Sequence, residues 1–380
     1  MPADTVVVSG TGMNVKEFNP LIEIKNLKVI RGGTLILNVP SFSVREGEVL
    51  SLIGPNGAGK TTFLQTLSYI AKPFQGEIHF RGKRVEKDHS VLEYRRKLAM
   101  VFQEPLLFDT TVFNNVAAGL KIRGVKKREI RERVMKQLER LGISRLIDRS
   151  AKTLSGGEAQ RTSLARAFAL EPEILLLDEP FISLDPPTRD SLIEDFELIL
   201  KKTKTTVILA THDRLEALRL STQMAVMNEG RIIQAGLPEE LMNQPVSEWV
   251  ASFVGVETIL SGEVVKQNGG TIIVSIEGQE IEAIGDCRLG ESVILCIRPE
   301  NVTLSTHNHH EKTVTGNVFP GRIVKAIPLG FYQKVHLNCG FPLVAYVTNP
   351  SLEELSSGKE KEIRASFKAT AVNIVKKELY

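Results

Sequence analysis

Cysteine is scarce in this 380-residue chain: Cys287, Cys296 and Cys339 are an odd number, all late, and none is spaced as a metal-ligand pair. That argues against a disulfide framework and fits buried or free thiols in a reducing compartment. Long apolar runs are missing too: no stretch approaches the ~20 residues that a helix needs to span a bilayer. The N-terminal stretch carries Asp4, no basic segment and only Val6-Val7-Val8, unlike a secretory signal. Work at a membrane would therefore go through a partner. An excess of charge of one sign is absent as well. With 48 basic and 45 acidic residues the net charge is +3, which gives no strong electrostatic case for a nucleic-acid partner. Lys126-Lys127-Arg128 and Lys201-Lys202 read as solvated helix faces. Tryptophan occurs once, at Trp249, and reads as a packing anchor. His307, His309 and His310 crowd one polar loop and read as solvated rather than as a metal site.

What remains is the composition of an ordinary globular protein, 42% apolar and 24% charged, long enough for two domains. Residues 1–20 read as a polar tail. Leu21-Ile22-Glu23-Ile24 opens a period-2 strand, Val49 to Ile53 a buried strand, and Thr61 to Ile70 a helix. Ile130, Val134, Leu138 and Leu141, set among charges, mark a surface helix over 127–142. Ile174 to Leu177 and Thr206 to Ala210 are continuous apolar runs, as in buried parallel strands. Strands alternating with helices predict an α/β core over 21–250. A helix around Pro245 to Val254 leads to a different texture. From 255 to 380, short β-rich runs such as Thr271 to Val274 and Val293 to Leu295 alternate with Gly and Asn turns, which predicts a small β-barrel.

The chemistry centres on Gly54-Pro55-Asn56-Gly57-Ala58-Gly59-Lys60-Thr61, a complete P-loop between a strand and a helix. Its glycines let backbone N–H groups converge on phosphate oxygens, and the helix aims its positive end at the same place. Lys60 supplies the point charge for the β and γ phosphates of ATP. The Thr61 hydroxyl is the expected Mg²⁺ ligand, and Thr62 reaches an inner phosphate. Asp178 closes an apolar strand, where a carboxylate for Mg²⁺ belongs. Glu179, one residue on, points to the other side and is the natural general base for an attacking water.

With these motifs, residues 21–250 resemble the ATP-binding-cassette (ABC) ATPases. Leu154-Ser155-Gly156-Gly157-Glu158 is similar to the family's signature turn, with Glu where Gln is the commonest form. The resemblance implies that Ser155, Gly156, Gly157 and Glu158 contact ATP held by a second copy, so that a homodimer sandwiches two nucleotides. Gln103, in Val101-Phe102-Gln103-Glu104-Pro105, matches the family glutamine that touches Mg²⁺ and water and senses the membrane partner. Asp185, in Ser183-Leu184-Asp185, resembles the D-loop. His212, in Thr211-His212-Asp213, resembles the switch histidine that holds the γ-phosphate. A helical subdomain is expected at about 104–155. The family usually stacks adenine on an aromatic residue before the P-loop. Leu27 to Gly33 has none, and Ile30 or Arg31 is left to cover the base, with weak ATP-over-GTP discrimination expected.

Residues 255–380 resemble the transport-associated OB-fold (TOBE) domain of importer ATPases, through Phe253-Val254-Gly255 and Ile297-Arg298-Pro299-Glu300-Asn301-Val302. Asn317 to Gly321 and Ala365 to Val372 look like its molybdate-binding type, with Val314-Thr315-Gly316 where that type often has Ser-Ala-Arg. Thr315, Asn317, Ser366 and Lys368 are the candidate oxyanion ligands.

The fold expected is thus an α/β P-loop NTPase core with an α-helical subdomain, followed by a small all-β OB-like barrel. The function expected is the ATPase subunit of an ABC importer for tungstate or molybdate. Sulfate, ferric iron, polyamine or sugar are alternative cargoes, and a soluble non-transport ABC protein is the rival class. The resemblance implies a transmembrane permease as direct partner, an extracytoplasmic binding protein as an indirect one, and a place on the cytoplasmic face of the membrane. An oxyanion sensor that slows transport is a compatible role for the last domain.

Overall fold

The continuous apolar runs become the centre of a sheet. Val49–Ile53, Ile174–Asp178 and Thr206–Thr211 are buried along their whole length. In the computed structural model, which describes residues 7–8, 20–306, 316–351 and 363–376, they lie side by side and parallel. The seven strands run in the order Val7–Val8, Arg231–Gly236, Gln223–Asn228, Val49–Ile53, Thr206–Thr211, Ile174–Asp178, Leu98–Val101. Only the hairpin of Gln223–Asn228 with Arg231–Gly236 is antiparallel. Val7–Val8, read from sequence as part of a tail, instead pairs with Gln234 and Ala235 at the sheet edge.

A parallel sheet covered on both faces needs apolar side chains at every position. Ile174 and Leu176 enter one core, Leu175 and Leu177 the other. The first core is closed by the Lys60–Leu67 helix and a four-stranded antiparallel sheet of Thr34–Val44, Ile22–Arg31, Gln75–Phe80 and Lys83–Arg84. The second is closed by the helices Val112–Ile122, Lys127–Arg140, Gly156–Ala169 and Pro186–Lys202. Lys127–Arg140 buries Ile130, Val134, Gln137 and Leu138, one stripe at helical spacing.

The chain divides into two units, Met1–Pro238 and Glu239–Tyr380. Near the start of the second, after the helix Pro238–Asn243, comes the short helix Glu248–Phe253, on which Trp249 stacks against Phe253 with ring centroids 5.4 Å apart. The rest is antiparallel β. One five-stranded sheet orders Gln279–Ile284, Thr271–Ile276, Thr258–Asn268, Ser292–Ile297 and Val372–Lys376. The other orders Thr303–Thr306, Ile363–Phe367, Asn317–Pro328, Tyr332–Asn338 and Pro342–Thr348. Both sheets feed one core that includes Leu260, Val274, Leu295, Phe319, Leu337 and Phe367. Two curled sheets around one core make the OB-like domain expected. Arg298 explains part of its motif: the part-buried guanidinium donates to the carbonyls of Met242 and Val254 and pins the entering segment.

All three cysteines are free and buried. Burial pushes the Cys296 thiol up to about 12 and Cys339 up to about 11. Among the described residues no helix is long and apolar enough to cross a membrane. His307, His309 and His310 lie outside the described residues.

Candidate functional site

The P-loop takes its shape from two close approaches. A Cβ at Gly54 would stand 2.2 Å from the carbonyl oxygen of Met227, so no side chain fits. Gly59 sits at φ +103°, in the left-handed region that favours glycine, and turns the chain into the Lys60–Leu67 helix. No side chain caps that helix start, so its N–H groups face the cleft. The cleft holds about 340 Å³ and is lined by Asn56 to Thr62 with Ile36, Gln103, Glu179 and Ile182.

Polar contacts from three side chains, Lys60, Thr61 and His212, organise it. Lys60 Nζ donates to the carbonyls of Gly54 (2.8 Å) and Pro55 (3.2 Å) and lies 3.3 Å from Glu179 Oε1. Thr61 Oγ1 donates to Asp178 Oδ1 at 3.0 Å. His212 Nδ1 stands 2.6 Å from Glu179 Oε2. The Lys60 and Glu179 side chains are only 6% and 10% exposed, whereas that of His212 is 44% exposed. Burial pushes the Asp178 carboxyl above its usual range and the Glu179 charge adds to it, while Thr61 and Lys60 draw it back down. Glu179 takes φ +48°, strained for a side-chain-bearing residue, with its N–H held by the Ala210 carbonyl at 2.9 Å. The bend lets consecutive carboxylates face Thr61 and Lys60 respectively.

These contacts fit MgATP chemically. Exposed helix N–H groups and an ammonium suit phosphates, and a hydroxyl beside a carboxylate is a hard oxygen donor set of the kind Mg²⁺ takes. Gly54, Pro55, Asn56, Gly57, Ala58, Gly59, Lys60, Thr61, Thr62, Gln103, Asp178, Glu179 and His212 thus gather at one place. Arg31 donates to Gln65 at 2.9 Å, and Ile36 rather than Ile30 or Arg31 is the hairpin residue that lines the cleft.

The signature turn stands elsewhere. Ser155, Gly156, Gly157 and Glu158 are not among the residues lining the cleft of their own chain. Ser155 and Glu158 form a capping box: Glu158 N–H donates to Ser155 Oγ at 3.3 Å, and Ser155 N–H to Glu158 Oε2 at 3.0 Å. The backbone bond from Ser155, helped by Arg149 and Arg145, holds the Glu158 carboxyl below its usual range. The Ser-x-x-Glu spacing could have shown this box before the structure did. A Cβ at Gly157 would meet the Thr188 methyl at 2.5 Å, so its small size lets the Pro186–Lys202 helix approach. Asp185 caps that same helix through Thr188 N–H at 3.2 Å. Arg189 and Glu216, which sequence reasoning passed over, tie the His212 turn to this helix. Their 27-residue separation left no local signal.

The candidate oxyanion residues lie apart from the cleft residues in sequence, in the second unit. Thr315 lies outside the described residues. Asn317 pairs with Phe367 and Val318 with Ser366, so the pleat puts Asn317 and Ser366 on opposite faces of the sheet. The Asn317 amide is spent on backbone, accepting from Glu282 N–H and donating to Glu282 C=O, each at 2.8 Å. Ser366 Oγ faces the Thr303 carbonyl at 3.5 Å, and Lys368 is exposed at the start of a short turn. The Glu282 carboxylate stands 2.2 Å from where a Gly316 Cβ would be, so no side chain fits there unless Glu282 moves.

A P-loop facing an Asp-Glu pair and a histidine, on this sheet with a helical layer, defines an ATP-binding-cassette ATPase. The family described as "ABC transporter" matches residues 37–182. The molybdate/tungstate import ATP-binding protein WtpC of Pyrococcus horikoshii is 38% identical over 88% of this chain and 94% of its own length. The spermidine/putrescine import ATP-binding protein PotA of Mycoplasma capricolum is 34% identical over 83% of this chain and 88% of its own. Among solved structures, cbiO1 of Clostridium perfringens, part of the ABC transporter complex cbiONQ, superposes with a TM-score of 0.55 at 32% identity. It spans 58% of this chain and 90% of cbiO1. The chain belongs to the ABC transporter family, in its ATP-binding branch, and is an ATPase.

Proposed function

We propose that this chain is the energy-coupling subunit of an ABC importer, hydrolysing MgATP at two sites shared by a homodimer. The observation that carries the chemistry is the Lys60–Glu179–His212 arrangement at the mouth of the P-loop. Lys60 and the N–H groups of 56–62 hold the β and γ phosphates of ATP. Thr61, Asp178 and Gln103 would hold Mg²⁺, which when bound would neutralise charge on the phosphates. Glu179 accepts a proton from the water that attacks the γ-phosphorus, and the bond to the ADP oxygen breaks as the new P–O bond forms. His212 orients Glu179 and faces the γ-phosphate. Ser155 and Gly157 serve the nucleotide of the other copy, and Asp185 lies beside them.

Tungstate or molybdate is the cargo we favour, supported by the WtpC relative and its near-full coverage. The PotA relative supports a second reading, a polyamine. A permease is the direct partner, which places the chain on the cytoplasmic face of the membrane; a binding protein delivers the cargo. Uptake by cells lacking this chain separates the readings. Loss of tungstate and molybdate uptake with spermidine uptake intact supports the first. Loss of spermidine uptake alone overturns it in favour of the second. Unchanged uptake of all three overturns both.

A further inference from the structure

Arg189 lies in the first turn of the Pro186–Lys202 helix, its N–H donating to the Asp185 carbonyl at 2.9 Å. Its guanidinium leaves that helix and reaches the turn that carries His212. Nε donates to Glu216 Oε1 at 2.8 Å, and Nη2 pairs with the Asp213 carboxylate. The other Glu216 oxygen accepts from the Thr211 hydroxyl at 2.6 Å. Thr211 Oγ1 in turn accepts from Asp213 N–H at 3.0 Å. Asp213 Oδ1 accepts from the N–H groups of Leu215 (2.8 Å) and Glu216 (3.1 Å) and so starts the next helix. Both neighbours of His212 are therefore fixed, and both through the Arg189–Glu216 pair.

The Glu216 side chain is only 4% exposed. The Arg189 side chain is 31% exposed and also pairs with Asp213, and such a partly screened ion pair is a poor source of stability. Neither Arg189 nor Glu216 lines the nucleotide cleft, so neither is spent on ATP. The pair instead joins two turns: the one that Asp185 caps and the one that aims His212 at Glu179.

We propose that Arg189 and Glu216 are positioning residues for ATP hydrolysis, clamping the Thr211-His212-Asp213 turn to the helix start at Asp185 so that the two move as one piece. This rests on the reading of Glu179 and His212 as the hydrolytic pair. The clamp acts on the rate of the chemical step and leaves ATP binding to the P-loop.

The test uses the purified full-length chain, with steady-state hydrolysis and equilibrium ATP binding measured side by side. Arg189→Ala and Glu216→Gln should each lower kcat about tenfold with the Kd for ATP within about twofold of the unaltered protein. Arg189→Lys, which keeps the charge without the fork, should stay within about threefold in kcat. In ¹⁵N-histidine spectra the His212 signal, assigned with His212→Ala, should move in Arg189→Ala and in Glu216→Gln. Full turnover in both variants, a parallel loss of ATP affinity, or an unmoved His212 signal would overturn the clamp. If Arg189→Ala does not fold, Glu216→Gln and Arg189→Lys decide by the same criteria. Glu179→Gln keeps the two failures apart. Full turnover in Glu179→Gln overturns the hydrolytic pair, whereas a dead Glu179→Gln beside a fully active Arg189→Ala overturns the clamp alone.

Discussion

Exchanging Glu179 for glutamine keeps the side chain's shape and removes one charge, and the structure makes it act in two opposite directions. Loss of the general base should lower kcat by about 10² to 10⁴, or about 3 to 5 kcal/mol of barrier. The second effect is on binding. Glu179 Oε1 stands 3.3 Å from Lys60 Nζ, and both side chains are nearly buried, so this is a poorly screened pair that ATP must break. A hydrogen bond to a charged group is worth about 1.5 to 3 kcal/mol. The glutamine oxygen still accepts from Lys60, and the carbonyls of Gly54 and Pro55 stay in place. That leaves about 1 kcal/mol, a roughly fivefold gain in ATP affinity. Phosphate release at saturating MgATP and equilibrium binding of a fluorescent ATP analogue read the two effects separately. Hydrolysis near the unaltered rate would refute the base. Weaker ATP binding together with lost turnover would show that Glu179 supports the P-loop's shape instead.

Phe181→Ala opens a hole beside Phe196, whose ring lies 6.0 Å away edge-on; chemical denaturation should show a loss of about 3 to 5 kcal/mol, and a loss under about 1 would contradict the packing. Glu216 gives a pH dependence. Burial lifts its carboxyl above the usual range against the pull of Thr211 and Arg189. A raised folded value means that stability is full below the unfolded value and is lost as pH rises through the folded one. Glu216→Gln should therefore gain in Tm relative to the unaltered protein between the ordinary carboxylate range and neutrality; a relative loss over that window would reverse the assignment. Ile36 lines the cleft with an aliphatic side chain that carries no hydrogen-bond code, so if it covers the base, competition binding should show ATP and GTP within about tenfold of each other. Strong selectivity for ATP would contradict an aliphatic base site.

Much of the cassette was legible because its signals are local. Val49 to Ile53 is a strand with the bounds the apolar run implies, and the run at Ile174 extends only to Asp178. The helix expected to reach Ile70 stops at Leu67 because Tyr69 turns to φ +54°, a choice its side chain does not announce. The P-loop, Asp178 and Glu179 were readable because phosphate chemistry demands those residue types at fixed spacing. What escaped was non-local. Val7–Val8 finds its partner at Gln234 and Ala235, and no pattern within the N-terminal stretch encodes that. Register was also out of reach: only the pairing of Asn317 with Phe367 shows that Asn317 and Ser366 face apart. The Ser155–Glu158 box was written plainly in the sequence, but the same letters also fit a nucleotide-contacting turn.

The central claim is that hydrolysis needs the P-loop of one copy and the signature turn of another. Mixing two inactive chains tests it most directly: Lys60→Ala, which spoils both P-loops of a dimer, and Ser155→Arg, which spoils both signature turns. In a mixed dimer one site pairs the intact P-loop of the second chain with the intact turn of the first. Random pairing makes half of the dimers mixed, with one working site in two, so an equal mixture should recover about a quarter of the unaltered ATPase rate. Activity of Ser155→Arg alone near the unaltered level, or a mixture as inactive as its parts, would contradict the shared site.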